Sequence, residues 1–160
     1  FIFIQVKHSG LNLDKKNFQC FSTAVDDFRE NLLRPLLIER VSGTIGNTQA
    51  RQHILSKLHS TNLWDVELDT FDSMTPVSRN IKSIDWLYAL LLFVGGQVEF
   101  TNIVGTLDPT ATRRLVLACH YDSKKLPNFV GATDSAVPCA MLLDIAINLQ
   151  EKLRELKLRV

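Results

Sequence analysis

The sequence predicts an α/β protein with a mixed, mostly parallel central sheet flanked by helices. Three observations carry this. Two stretches, 23–38 and 47–59, place apolar residues at helical spacing. Two later stretches, 63–71 and 97–107, alternate polar and apolar residues as half-buried strands do. Residues 115–119 (LVLAC) form a continuous apolar run, and a long apolar helix pattern follows at 135–153. A strand buried on both faces and followed by a helix is the unit of a parallel sheet interior.

The elements follow in chain order. The opening FIFIQVK is too short for a signal peptide and lacks its flanks. It reads as an edge strand, or as a chain whose start is missing. In TAVDDFRENLLRPLLI, Val25, Phe28, Leu32 and Leu36 are inward positions. Thr23 can cap that helix, and Asp26 and Asp27 favour its first turn. Pro35 kinks or ends it. ERVSGTIGNTQ is a loop by its Gly, Ser and Asn content. A second helix starts at Asn47 or Thr48 and runs to about His59, with Ile54, Leu55 and Leu58 inward. LWDVELDTF and QVEFTNIVGTL are expected to pair antiparallel. Asp108-Pro109 signals a turn before LVLAC. Pro138 suits the first turn of the 135–153 helix.

With 160 residues, one domain is expected. Apolar residues make up 46% and charged ones 22%, so a globular core is available. A net charge of +1 points to no nucleic-acid or anionic-membrane partner. The longest apolar run, WLYALLLFV at 86–94, is about half of what spans a bilayer, so no membrane span is expected. Three cysteines, Cys20, Cys119 and Cys139, leave one over if two bond.

The stretch CHYDSKKLPNFVGATDSAVPC, residues 119–139, holds the candidate chemistry. His120 and Asp122 lie just past the C-terminal end of the buried strand, where α/β sheets bind ligands. Asp134 lies at the start of the next helix, where the dipole favours a carboxylate. Imidazole and carboxylate are zinc ligands, and a catalytic zinc takes three protein ligands with one position open. Spacing alone leaves the ordinary alternative standing: a hydrogen-bonded histidine and an N-capping aspartate. It also leaves open whether Cys119 and Cys139 bond.

LLRPLLIER, ARQHI, LACHYDSK and above all FVGATDSAVPCAMLLDIA resemble the N-terminal part of the glutaminyl-peptide cyclotransferases, from about residue 21 to 156. The resemblance implies a zinc-aminopeptidase-like fold, truncated here after the third family strand. It implies conversion of N-terminal glutamine of peptides to pyroglutamate with release of ammonia, assisted by one zinc ion. Asp134 corresponds to a zinc ligand. His120 borders the site, Asp122 orients a neighbour and Ser135 follows the ligand, across a peptide bond expected to be cis. Cys119 and Cys139 correspond to a disulfide pair, which implies a secreted or secretory-pathway protein, the Golgi included. The implied partners are peptides or proteins with N-terminal glutamine.

Two features depart from the family pattern. Residues 80–96 (NIKSIDWLYALLLFVGG) interrupt it, as an insertion or a misread exon boundary. The family's general base and its other zinc ligands correspond to positions past Val160, so no catalytic residue is expected in this partial catalytic domain of residues 1–160. Glu151, Glu155, His8, His53 and His59 match no family position, and 1–160 alone is expected to be inactive. Two further readings stay open: a di-zinc aminopeptidase of the same fold, and a non-catalytic truncated product.

Overall fold

A computed structural model describes residues 1–7, 25–74 and 97–158. Thr23, Cys20, His8 and the 80–96 interruption lie outside them. Strand β1 spans Ile2–Lys7. Helix α1, Val25–Asp27, continues as a wide turn over Phe28–Leu33 and a tight one over Arg34–Leu36. Pro35 sits at the start of that last turn, where its missing N–H is tolerated, and the chain leaves helical geometry at Leu37. Leu32 and Leu36 are buried, but Val25 in the first turn is 74% exposed, against the inward position expected.

Helix α2, Ile45–His59, starts a few residues before the expected Asn47, because Thr44 takes the cap and accepts from the Asn47 backbone N–H. Asn47, Ala50, Ile54 and Leu58 form its buried stripe at helical spacing. Strands β2, Asp65–Met74, and β3, Gln97–Thr106, pair antiparallel in ten-residue register, as expected. Phe71 and Phe100 stack across that pair at 5.7 Å. The Asp108 carboxylate holds the turn by accepting from the Thr110 backbone and hydroxyl. Strand β4 is Arg114–Cys119. The long helix expected over 135–153 is divided: a turn at Ala132–Ala136, α3 at Val137–Asn148 and α4 at Gln150–Leu158.

The sheet order is β2-β3-β1-β4, with β1 parallel to β3 and antiparallel to β4. The sheet is mixed, as expected, though only one of its three described pairings is parallel. Two expectations are corrected. The opening FIFIQVK is an internal strand, not an edge: Ile2 and Ile4 are fully buried and both its edges are paired. LVLAC, expected at the centre, ends the described strand order, and Leu115 and Val116 are half exposed. Its apolar run would suit two covered faces. Among the described residues only its C-terminal end is tightly covered, where Cys119 is bonded to α3.

One core unites these elements. Ile2, Ile4 and Ile103 of the sheet, Ile54 and Leu58 of α2, and Leu143 of α3 are all buried in it. Each such side chain contributes roughly 1.5–3 kcal/mol by leaving water. The Trp64 indole N–H donates to the Ala146 carbonyl and ties the start of β2 to α3. The core thus clamps α3 against the sheet, and that places the C-terminal end of β4 beside the start of the helix.

Candidate functional site

Beyond β4 the in-and-out alternation of burial continues over residues 120–123. Tyr121 and Ser123 point inward and are buried, while His120 and Asp122 point outward. The Tyr121 hydroxyl donates to the Thr101 carbonyl at 2.7 Å. Burial pushes the Tyr121 phenol pKa up, with Arg51 acting in the opposite direction. Ser123 exchanges two hydrogen bonds with the Arg40 backbone: its Oγ accepts from the Arg40 N–H at 2.8 Å and its own N–H donates to the Arg40 carbonyl at 3.1 Å. The inward pair anchors the strand exit, and the outward pair is left for chemistry.

The second wall of the site is the turn before α3. Gly131 opens it with φ 53° and ψ 53°, the left-handed conformation that glycine adopts without a side-chain clash. A Cβ there would lie 2.5 Å from the Asp134 carbonyl oxygen. The Ala136 N–H closes the turn on the Gly131 carbonyl at 3.0 Å. The peptide bond from Asp134 to Ser135 is cis, as the resemblance implied. Ser135 is buried, and its hydroxyl donates to the His120 carbonyl, a direct tie between the two walls. The Cys119–Cys139 disulfide is a second tie, with the two Cα atoms 5.8 Å apart.

The walls bring His120, Asp122 and Asp134 together. His120 Nε2 lies 2.8 Å from Asp134 Oδ1, and His120 Nδ1 lies 3.1 Å from Asp122 Oδ1. The three side chains are 34%, 47% and 61% exposed, so the ring sits between two carboxylates at the solvent edge. A neutral imidazole has one N–H donor. The arrangement therefore suits an imidazolium, or a neutral ring that donates to Asp122 while a cation sits by Asp134 and Nε2. Carboxylate oxygen and imidazole nitrogen are donors that zinc takes. Among the described residues no group of three or more His, Cys, Asp or Glu side chains is placed to hold a metal ion. The residues present fit one corner of a zinc site. His53 packs within α2, His59 is exposed at its end, and Glu151 and Glu155 are exposed on α4.

Arg40 escaped the sequence reading. It is fully buried. Its Nε donates to the Tyr121 carbonyl at 2.8 Å, and its Nη1 donates to the carbonyls of Leu36, Ile38 (3.0 Å) and Val130 (2.7 Å). Its Nη2 reaches the Gly131 carbonyl at 3.4 Å. Burial pushes its pKa down from the ordinary arginine value, and the Asp122 carboxylate opposes that. The only local signal is a cation two positions past the LLRPLLI stretch, and such residues are ordinarily solvated.

Known proteins resemble this chain in sequence and fold. The Peptidase family M28 model matches residues 102–160. The chain is 44% identical to a glutaminyl-peptide cyclotransferase of Bos taurus over 92% of its own length and 37% of the relative. It is 46% identical to a glutaminyl-peptide cyclotransferase-like protein of Mus musculus, over 78% of this chain and 29% of that protein. A crystal structure of Macrostomum lignano glutaminyl cyclase superimposes with a TM-score of 0.67 at 38% identity, covering 84% of this chain and 36% of that one. The fold defines a protein of the zinc-aminopeptidase-like α/β class. Within that class the chain is homologous, over most of its own length, to the glutaminyl-peptide cyclotransferases. It spans between 29% and 37% of the length of these relatives.

Proposed function

We propose that residues 1–160 are the part of a glutaminyl-peptide cyclotransferase that carries one ligand of its zinc ion. The observation behind this reading is the approach of Asp134 to His120, 2.8 Å apart at the start of α3, in a chain this similar to the cyclotransferases. Asp134 is the ligand. When bound, zinc supplies Lewis-acid polarisation of the substrate's γ-carbonyl.

The chain's own residues position that corner. Asp122 faces His120 Nδ1 and fixes the ring's orientation, as outer partners of metal-site histidines do. Ser135 and the disulfide hold the main chain of the two walls together. The substrate is a peptide or protein with N-terminal glutamine, whose free amine attacks its own side chain. The reaction is intramolecular, so holding the substrate in a reactive conformer contributes much of the rate.

The disulfide supports a secretory-pathway protein, secreted or retained in the Golgi. Among the described residues no helix is long and apolar enough to cross a membrane. We read residues 80–96 as an insertion into a partial catalytic domain.

The test compares 1–160 with a product extended past Val160, following ammonia release from a glutaminyl peptide. Activity is expected in the extended protein alone, and Asp134→Ala should abolish it. Full activity in that variant would remove Asp134 from the reaction. Release of free amino acids instead of ammonia would favour a di-zinc aminopeptidase.

A further inference from the structure

We propose that Arg40 is a positioning residue for the Asp134 corner, acting as a rigid spacer between its two walls. The site needs two stretches of main chain at a fixed separation: the strand exit that carries His120 and Asp122, and the turn that carries Asp134. Arg40 is bonded to both. Its Nε holds the Tyr121 carbonyl, between His120 and Asp122 in sequence. Its Nη atoms hold the carbonyls of Val130 and Gly131, just before Asp134. Guanidinium is planar and its donors stand in a fixed fork, so two walls bound to one fork keep one spacing. An ammonium is a point donor on a flexible stem and cannot span both.

The Arg40 backbone extends the same clamp. Its N–H and carbonyl are paired with Ser123, and its carbonyl also accepts from Asn47 Nδ2 at 3.1 Å. The neighbouring Glu39 carboxylate accepts from the Asn128 N–H at 3.0 Å, which ties down the loop between the walls. All five side-chain acceptors of Arg40 are main-chain carbonyls. A buried guanidinium costs desolvation. Here that cost is offset by charge-assisted hydrogen bonds to the carbonyls of an irregular loop that has no ladder of its own.

This inference rests on the reading of Asp134 as a metal ligand, but its test uses no activity. In the wild-type chain the Arg40 Nε–H should give a resolved ¹⁵N–¹H signal that exchanges with solvent about a hundredfold slower than free arginine. Exchange at the free rate overturns the proposal without any variant. Arg40→Lys keeps the charge and loses the fork. It should leave amide protection in the β2–β3 ladder unchanged. The Ser123 and Ala136 amides should exchange at least about tenfold faster, and the ¹⁵N shifts of the His120 ring, read at one fixed pH, should move. Methylguanidinium, but not methylammonium, should restore those shifts in Arg40→Ala. Unchanged shifts and protection in Arg40→Lys would overturn the proposal. So would an equal loss of protection throughout the molecule, which would mark a general stabilising role. Failure of the cyclisation assay would leave these signals where they are.

Discussion

The β2–β3 ladder with α2 and the 119–139 loop are built on opposite principles. The ladder repeats one interaction in regular register, and α2 repeats one buried stripe, so each residue there is supported by periodic neighbours. The loop has no repeat. A disulfide, one serine hydroxyl, one left-handed glycine and one arginine fork hold it. Damage to the body should therefore spread through the whole fold. Damage to the loop should stay local, because few of its bonds reinforce one another.

The largest effect should come from the body. Ile54→Ala removes a fully buried side chain from the centre of the core and should cost about 2–5 kcal/mol. Urea unfolding would show the loss with a single transition. A loss under half of the lower figure would mean that the core closes around the gap.

Breaking the Cys119–Cys139 bond comes next. The Cys119→Ala/Cys139→Ala pair removes a link across about 20 residues, worth roughly 3 kcal/mol in the chain-entropy model. Thermal unfolding with and without reductant measures it. If reduction leaves the wild-type midpoint unmoved, the bond does not constrain the unfolded chain as proposed.

Gly131→Ala should destabilise the 131–136 turn locally by about 1–2 kcal/mol, since a non-glycine residue resists the left-handed region, and its Cβ would meet the Asp134 carbonyl. The comparison predicts that amide exchange quickens around residues 131–136 while the β2–β3 ladder keeps its protection. Uniform quickening would contradict the independence of the two regions.

The smallest effect is a pH dependence seated in the body. His53 Nε2 is buried, with no hydrogen-bond partner among the described residues. Burial first, then Lys57, pushes its pKa below the ordinary 6.5, with the Leu32 backbone acting in the other direction. As pH falls through 6.5, the unfolded chain takes up a proton that the folded chain refuses. Stability should therefore decline below 6.5 toward the lower folded pKa, and be insensitive to this group above 6.5. His53→Gln should flatten that decline in melts between pH 7 and 5, and an equal slope in both proteins would show that other groups cause it.

Much of the body was legible without coordinates. The 3.6-residue spacing of α2 and the alternation of β2 and β3 are local signals, because each records which side chains face one core. The loop was legible only in part. The resemblance to the cyclotransferases marked Cys119 with Cys139 and suggested the cis bond after Asp134, whereas residue spacing alone left both open. Arg40 was not legible, since its acceptors belong to residues 36, 38, 121, 130 and 131, which meet only after folding.

Composition and periodicity by themselves determined the α/β class, helix α2, the β2–β3 pair and the placing of His120 and Asp134 at facing element ends. Tertiary structure alone decided that FIFIQVK enters the sheet between β3 and β4, that LVLAC takes the end of the described order, and that one arginine spans both walls of the corner. The reason is physical. Periodicity is a property of neighbours along the chain, while strand order and the burial of a guanidinium depend on hydrogen-bond partners up to about a hundred residues away, which nothing local specifies.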